Sequence, residues 1–238
     1  MAMTYGYATA RIFTLNLLLL SHQKRCQLAF VSALFAYAVG ANAQIGMALT
    51  NSNGQYLVAA RAGNIALATE YLKNGAAVDS RDRNGDTPLQ FAARKGDAAM
   101  VKLLLSHAAN VNFANLSGVT PLMAAAFAGQ LEIVKTLLTA GAAIDPVDRV
   151  KKTAIVYAAG NGHTACVLAI LDAGAKVDER NDNDTTLLMW AASYGHEETV
   201  AALLKRGAVK DHKDNRGKTA LDIAREAQQL RVVKLLEG

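Results

Sequence analysis

Two cysteines (Cys26, Cys166) and five histidines (His22, His107, His163, His196, His212) are the side chains of this sequence best suited to nucleophilic, general-base or metal chemistry. Hydrolysis needs a nucleophile, a base and an orienting acid that converge, and the spacing offers no such set. His163 and His196 stand 33 residues apart, each directly after a glycine, so a repeated structural position accounts for both. His107 and His212 have no partner at metal-ligand spacing, and there is no C-x-x-C, H-E-x-x-H, glycine-rich phosphate loop or G-x-S-x-G. Cys166, beside Val167 in an apolar stretch, reads as a small buried hydrophobe, with a redox-active thiol as the alternative. Asp178, Glu179, Asp182 and Asp184 lack the spacing of a calcium loop and alternate with Arg180, so a solvated turn is expected. The sequence therefore predicts no enzyme, no metal and no cofactor.

The composition divides the chain. Residues 1–43 hold Arg11, Lys24 and Arg25 with no acid, and 6 of the 14 aromatic residues. After Lys24 and Arg25 comes an apolar run from Leu28 to Val39, then Ala41, Asn42 and Ala43 before Gln44. Positive flank, apolar core and A-x-A predict a signal peptide cleaved after Ala43. The alternative, an uncleaved anchor of a membrane-tethered enzyme subunit, meets a run well short of the roughly 20 residues a span requires. A second apolar patch, Ile12 to Leu20, lengthens the leader and fits either a start downstream of Met1 or an extended n-region. Cys26 precedes the apolar core, which argues against lipoprotein attachment.

The whole sequence has a formal charge of +5, but residues 44–238 carry 22 Lys plus Arg against 20 Asp plus Glu. That near-neutrality removes the electrostatic footprint expected of a nucleic-acid binder. Two cysteines also exclude a disulfide-stapled scaffold.

The remaining chain has a period of 33. Thr87, Thr120, Thr153, Thr186 and Thr219 recur at that spacing, with Ala92-Ala93, Ala125-Ala126, Ala158-Ala159 and Ala191-Ala192 following them, then Gly96, Gly129, Gly162 and Gly195. Each unit reads as two short helices and a turn: a threonine caps a helix that begins at Pro88 in the first full unit, and Gly96 ends it. A second helix is predicted from about Ala98 to His107, with Met100, Val101, Leu104 and Leu105 as its apolar stripe. The polar segment that follows, such as Val78 to Asp86, carries D-x-x-G or N-x-x-G turn chemistry suited to a hairpin tip. No unit can bury its apolar face alone, so about six must stack into an all-α repeat solenoid.

The register D82-R-N-G85-D-T87-P88-L89-Q-F-A92-A93-R-K-G96 resembles an ankyrin repeat, and the resemblance runs from about residue 49 to the C-terminus. It implies helix-turn-helix repeats with hairpin tips over approximately 49–81, 82–114, 115–147, 148–180, 181–213 and 214–238. Where that family has histidine after T-P-L, this chain has Gln90, Met123, Val156, Met189 and Asp222, so the family's repeated histidine hydrogen bonds are expected to be absent throughout. Ala108 stands where a left-handed glycine is usual. The ends read as caps, the last helix carrying Gln228, Gln229, Arg231, Lys234 and Glu237 outward.

The resemblance further implies a monomeric, non-catalytic protein-binding module whose concave face, formed by tips and first helices, reads a partner protein. Phe113, Phe127, Tyr157, Trp190 and Tyr194 fall on or near that face, and aromatic anchors of this kind commonly dominate interfaces. Tyr157 and Trp190 precede the alanine pairs and could equally be core, whereas Phe127 and Tyr194 follow them and should be exposed. Arg83, Arg94, Lys95, Arg149 and Lys152 are the basic candidates, interleaved with acids. They form either a solvated mixed-charge surface or a patch that steers an acidic protein. The A-x-A leader looks like that of a Gram-negative bacterial protein and implies the periplasm; a secreted effector that binds a host protein is the alternative. Some exported bacterial ankyrin proteins are associated with stress protection through a partner such as a catalase, which resemblance alone extends to this chain.

Overall fold

The computed structural model describes residues 52–181 and 183–238. The predicted leader, its cleavage after Ala43, Cys26 and Asp182 lie outside them. Twelve helices are found among the described residues, and no strand. They come in pairs: α1 (52–62) with α2 (Ile65–Lys73), α3 (Pro88–Lys95) with α4 (Ala98–Ser106), and α5 (Pro121–Phe127) with α6 (Leu131–Thr139). There follow α7 (Ala154–Gly160) with α8 (Thr164–Asp172), α9 (Leu187–Ser193) with α10 (Glu197–Lys205), and α11 (Ala220–Glu226) with α12 (Leu230–Glu237). From α3 onward each first helix packs on the next first helix, and each second helix on the next second helix. The result is the all-α repeat solenoid that the periodicity predicts. None of the described helices is long and apolar enough to cross a membrane.

The reason is visible in the side chains. The alanine pairs at 92-93, 125-126, 158-159 and 191-192 are buried between successive first helices, where a larger residue would hold them apart. Met100, Val101 and Leu104 are buried on α4 as the stripe requires, and Leu105 is partly covered. Val232 and Leu236 of α12 are buried, and Val233 is partly so. Gln228, Arg231, Lys234 and Glu237 are exposed around it, whereas Gln229, expected to point outward with them, is half-buried.

Thr87, Thr120, Thr186 and Thr219 accept a hydrogen bond from the backbone N–H three residues on. The position three residues on holds no histidine in any repeat, as expected, but other side chains make bonds from it. The Gln90 side chain accepts from the Thr87 N–H at 2.7 Å and donates to the Val119 carbonyl, joining two repeats. Asp222 accepts from the N–H and hydroxyl of Thr219 at 3.0 and 2.7 Å. Those bonds hold the Asp222 carboxyl below the usual range, against the cost of burial. Met123 and Met189 offer only sulfur at 3.4 Å to the threonine N–H, Val156 offers no acceptor, and the Thr153 side chain makes no cap bond. A polar side chain of suitable length does the work of histidine here; histidine itself is not required.

The hairpin expected at the tips is a tight turn, with one backbone bond between adjacent tips where such bonds form, as from the Leu116 N–H to the Asn84 carbonyl at 3.0 Å. Its anchor recurs at 33-residue spacing: Asp82, Asn115, Asp148, Asn181 and Asp214 each accept from two backbone N–H groups of their own turn. Five residues lie at the left-handed corner, and only three are glycine; Lys151 and Asp184 take φ of 60° and 55° there.

Candidate functional site

The first-helix face is uneven at one position. The last residue of α5 is Phe127, the corresponding residue of α7 is Gly160, and that of α9 is Ser193. The missing side chain at Gly160 opens a groove of about 390 Å³ walled by Phe127, Tyr157, Trp190 and Tyr194, with Lys152 at its edge. Phe127 and Tyr194 are 51% and 56% exposed, as predicted from their place after the alanine pairs. Tyr157 and Trp190 are half-buried, and so are neither core nor free surface.

The walls are fixed from below. The Tyr157 hydroxyl donates to Asp148, which also accepts from the N–H of Val150 and of Lys152 at 3.0 and 2.9 Å. Burial and then this carboxylate push the phenol above its ordinary pKa. Phe127 meets Tyr157 edge-on at 5.7 Å between centroids, and Tyr194 stacks on Trp190 at 6.3 Å. The Lys152 ammonium lies 4.4 Å from the Trp190 ring centre and 5.5 Å from that of Tyr157, close enough for cation–π attraction. Trp190 Nε1 is buried and finds no acceptor among the described residues. Behind the indole lies a second recess of about 460 Å³, bordered by Asn183, Thr185 and the Asp214–Arg216 pair. Burial opposes ionisation of Asp214, but the N–H groups of Lys218 and Arg216 and the Arg216 guanidinium outweigh it and hold the carboxyl below its usual range.

Five of the ten predicted surface residues thus come together: Phe127, Lys152, Tyr157, Trp190 and Tyr194. The other five do not line the groove. Phe113 is half-covered by the Arg81 guanidinium, 4.6 Å from its ring centre, while Arg83, Arg94, Lys95 and Arg149 are exposed elsewhere. Lys95 donates to the carbonyl of Arg61. Sequence reasoning missed Gly160 and Asn161 as groove residues; comparing the repeats column by column at 127, 160 and 193 would have found the gap.

A family model for ankyrin repeats (3 copies) matches residues 56–150 and 155–237, most of the chain. The chain belongs to the ankyrin-repeat family. Ankyrin repeats are generally protein–protein interaction modules and are typically non-catalytic. No curated protein matches the sequence.

The residues weighed for chemistry are occupied structurally in this ankyrin stack. His163 donates from Nε2 to the Phe127 carbonyl at 3.0 Å, and His196 to the Gly160 carbonyl at 2.9 Å, each bridging to the preceding first helix. A carbonyl can only accept, so Nε2 carries the proton in both. Arg180 donates to Nδ1 of His212 at 2.7 Å, and His107 Nδ1 faces its own helix at the Leu103 carbonyl. Asp178 accepts from the Val209 N–H at 3.0 Å, and Asp184 lies 4.0 Å from Arg180.

Cys166 is 1% exposed, and burial raises its thiol pKa. Both effects oppose thiolate chemistry. In a Cys26→Ser chain, Ellman's reagent should therefore find no reactive thiol under native conditions and one after denaturation. Rapid native labelling would restore the redox alternative.

Proposed function

We propose that this protein is an exported, non-catalytic binding module whose mature form begins at Gln44 and works as a monomer in the periplasm, holding a partner protein on its first-helix face in a scaffold or stress-protection role. The groove at Gly160 carries the reading: two large aromatic side chains stand half-exposed around a gap, held by rings and hydrogen bonds beneath them. Exposed aromatic surface of this kind is costly in a free protein and characteristic of an interface. The leader supports the export half of the reading through its A-x-A site and its concentration of the excess positive charge.

The test is capture from a periplasmic extract with the mature protein as bait. Phe127→Ala combined with Tyr194→Ala should abolish capture while circular dichroism stays unchanged, since both side chains project from the stack and bury little. Unchanged capture would mean that the partner uses another face. Mass spectrometry of the mature N-terminus should find Gln44, and an intact Met1 in the membrane fraction would overturn export by cleavage.

A further inference from the structure

The groove has a charge as well as a shape. Its cation position is already filled: the Lys152 ammonium sits over Trp190 and Tyr157. Among the described residues no aspartate or glutamate lines the groove. Beneath it, the Asp148 carboxylate is committed to two backbone N–H groups and the Tyr157 hydroxyl. Among the described residues neither Lys152 nor its neighbours Arg149 and Lys151 form an ion pair, whereas Arg216 is paired with Asp214 and Lys218 with Glu226 two repeats on. An added cation would meet repulsion here, and a carboxylate would meet an ammonium held on a partly dry aromatic wall, where attraction is screened less than in open water.

The gap at Gly160 is the second observation. A Cβ placed there would make only ordinary contacts, 3.7 Å to Trp190 and 3.9 Å to Tyr194. Glycine is therefore not required by packing, and it weakens the helix relative to alanine. The chain keeps an open space at some cost to the helix, and the space adjoins the Lys152 ammonium. Its volume accommodates one or two side chains and lies at the low end of the range of small-molecule pockets.

We infer that the groove takes an acidic peptide segment of the partner, with an aspartate or glutamate carboxylate on Lys152 and an adjacent apolar side chain in the gap between Phe127 and Tyr194. The inference rests on the binding-module reading and specifies its ligand chemistry.

The experiment is selection from a phage-displayed library of random octapeptides by the protein produced from the full-length chain, followed by titration of the enriched peptides in synthetic form. Trp190 is the only tryptophan in the sequence, so its emission reports the groove directly. Enriched peptides should pair an acid with a neighbouring apolar residue and change Trp190 emission on binding. Lys152→Met, which keeps the stem over the rings, should weaken them about tenfold and abolish the salt dependence. Lys152→Glu should turn the preference toward basic peptides. Gly160→Leu should abolish binding with a Tm no lower than that of the unsubstituted protein.

Enrichment of Lys- or Arg-bearing peptides by the unsubstituted protein, or indifference of acidic peptides to Lys152→Met, would overturn the acidic specificity and leave the module reading standing. So would occupation by a second copy, seen as a concentration-dependent Trp190 emission without peptide that Gly160→Leu removes. If no peptide distinguishes the protein from Gly160→Leu, the groove is not a docking site, whatever partner capture shows.

Discussion

Gly162→Ala lowers stability by about 2–4 kcal/mol and separates the thermal unfolding of the stack into two steps. Gly162 has φ of +72°, and a Cβ on it would stand 2.5 Å from Nδ1 of His196 in the next repeat. The methyl group therefore meets two penalties, left-handed backbone strain and a collision with a ring. The ring can retreat only by giving up its 2.9 Å bond to the Gly160 carbonyl, which ties repeat four to repeat five. Gly141→Ala provides the control. Its φ is +86° but nothing lies within 4 Å of the added Cβ, so it should cost only the backbone term, about 1–2 kcal/mol. The chain already tolerates that substitution in kind, since Ala108 holds the corresponding place one repeat earlier at φ of 60°. Calorimetry distinguishes the outcomes: equal losses for the two variants would show that the histidine contact contributes nothing.

Asp148→Ala should cost about 2–3 kcal/mol, while Asp148→Asn should cost less than about 1 kcal/mol. Alanine strands three donors, the N–H groups of Val150 and Lys152 and the Tyr157 hydroxyl. Asparagine keeps a carbonyl oxygen for the turn, and Asn115 and Asn181 perform that task in the flanking repeats. The carboxylate also raises the Tyr157 pKa, so the asparagine variant should titrate this phenol at lower pH. Urea denaturation and ultraviolet titration measure the two effects separately. A loss as large for asparagine as for alanine would show that the charge, and not the turn acceptor, stabilises the tip.

The fold could be read from the sequence because a period of 33 multiplies each weak signal. One threonine before a helix is a hint; five in register fix the caps, the alanine pairs fix the close face, and the second-helix stripe follows. The failures occur where a repeat departs from its neighbours. Lys151 gives no turn signal of its own, and Asp184 a weaker one than glycine, yet their Asx-anchored turns place both in the left-handed region. Phe113 reads as lying on or near the binding face, and nothing in its own repeat signals the guanidinium of Arg81, from the preceding repeat, that half-covers it. The groove depends on an absent side chain, which motif searching does not register. His196 holds a repeated structural position through its bond to the Gly160 carbonyl, and the same residue also lines the groove.

The 33-residue ladder of neighbour contacts bears on how the chain finds its fold. The longest described side-chain hydrogen bonds span 36 residues, those of His163 and His196. Contact order is consequently low for a chain of this length, and no early segment has to wait for a distant one. Each repeat can dock as soon as its immediate successor exists, so assembly can keep pace with a chain that appears from one end.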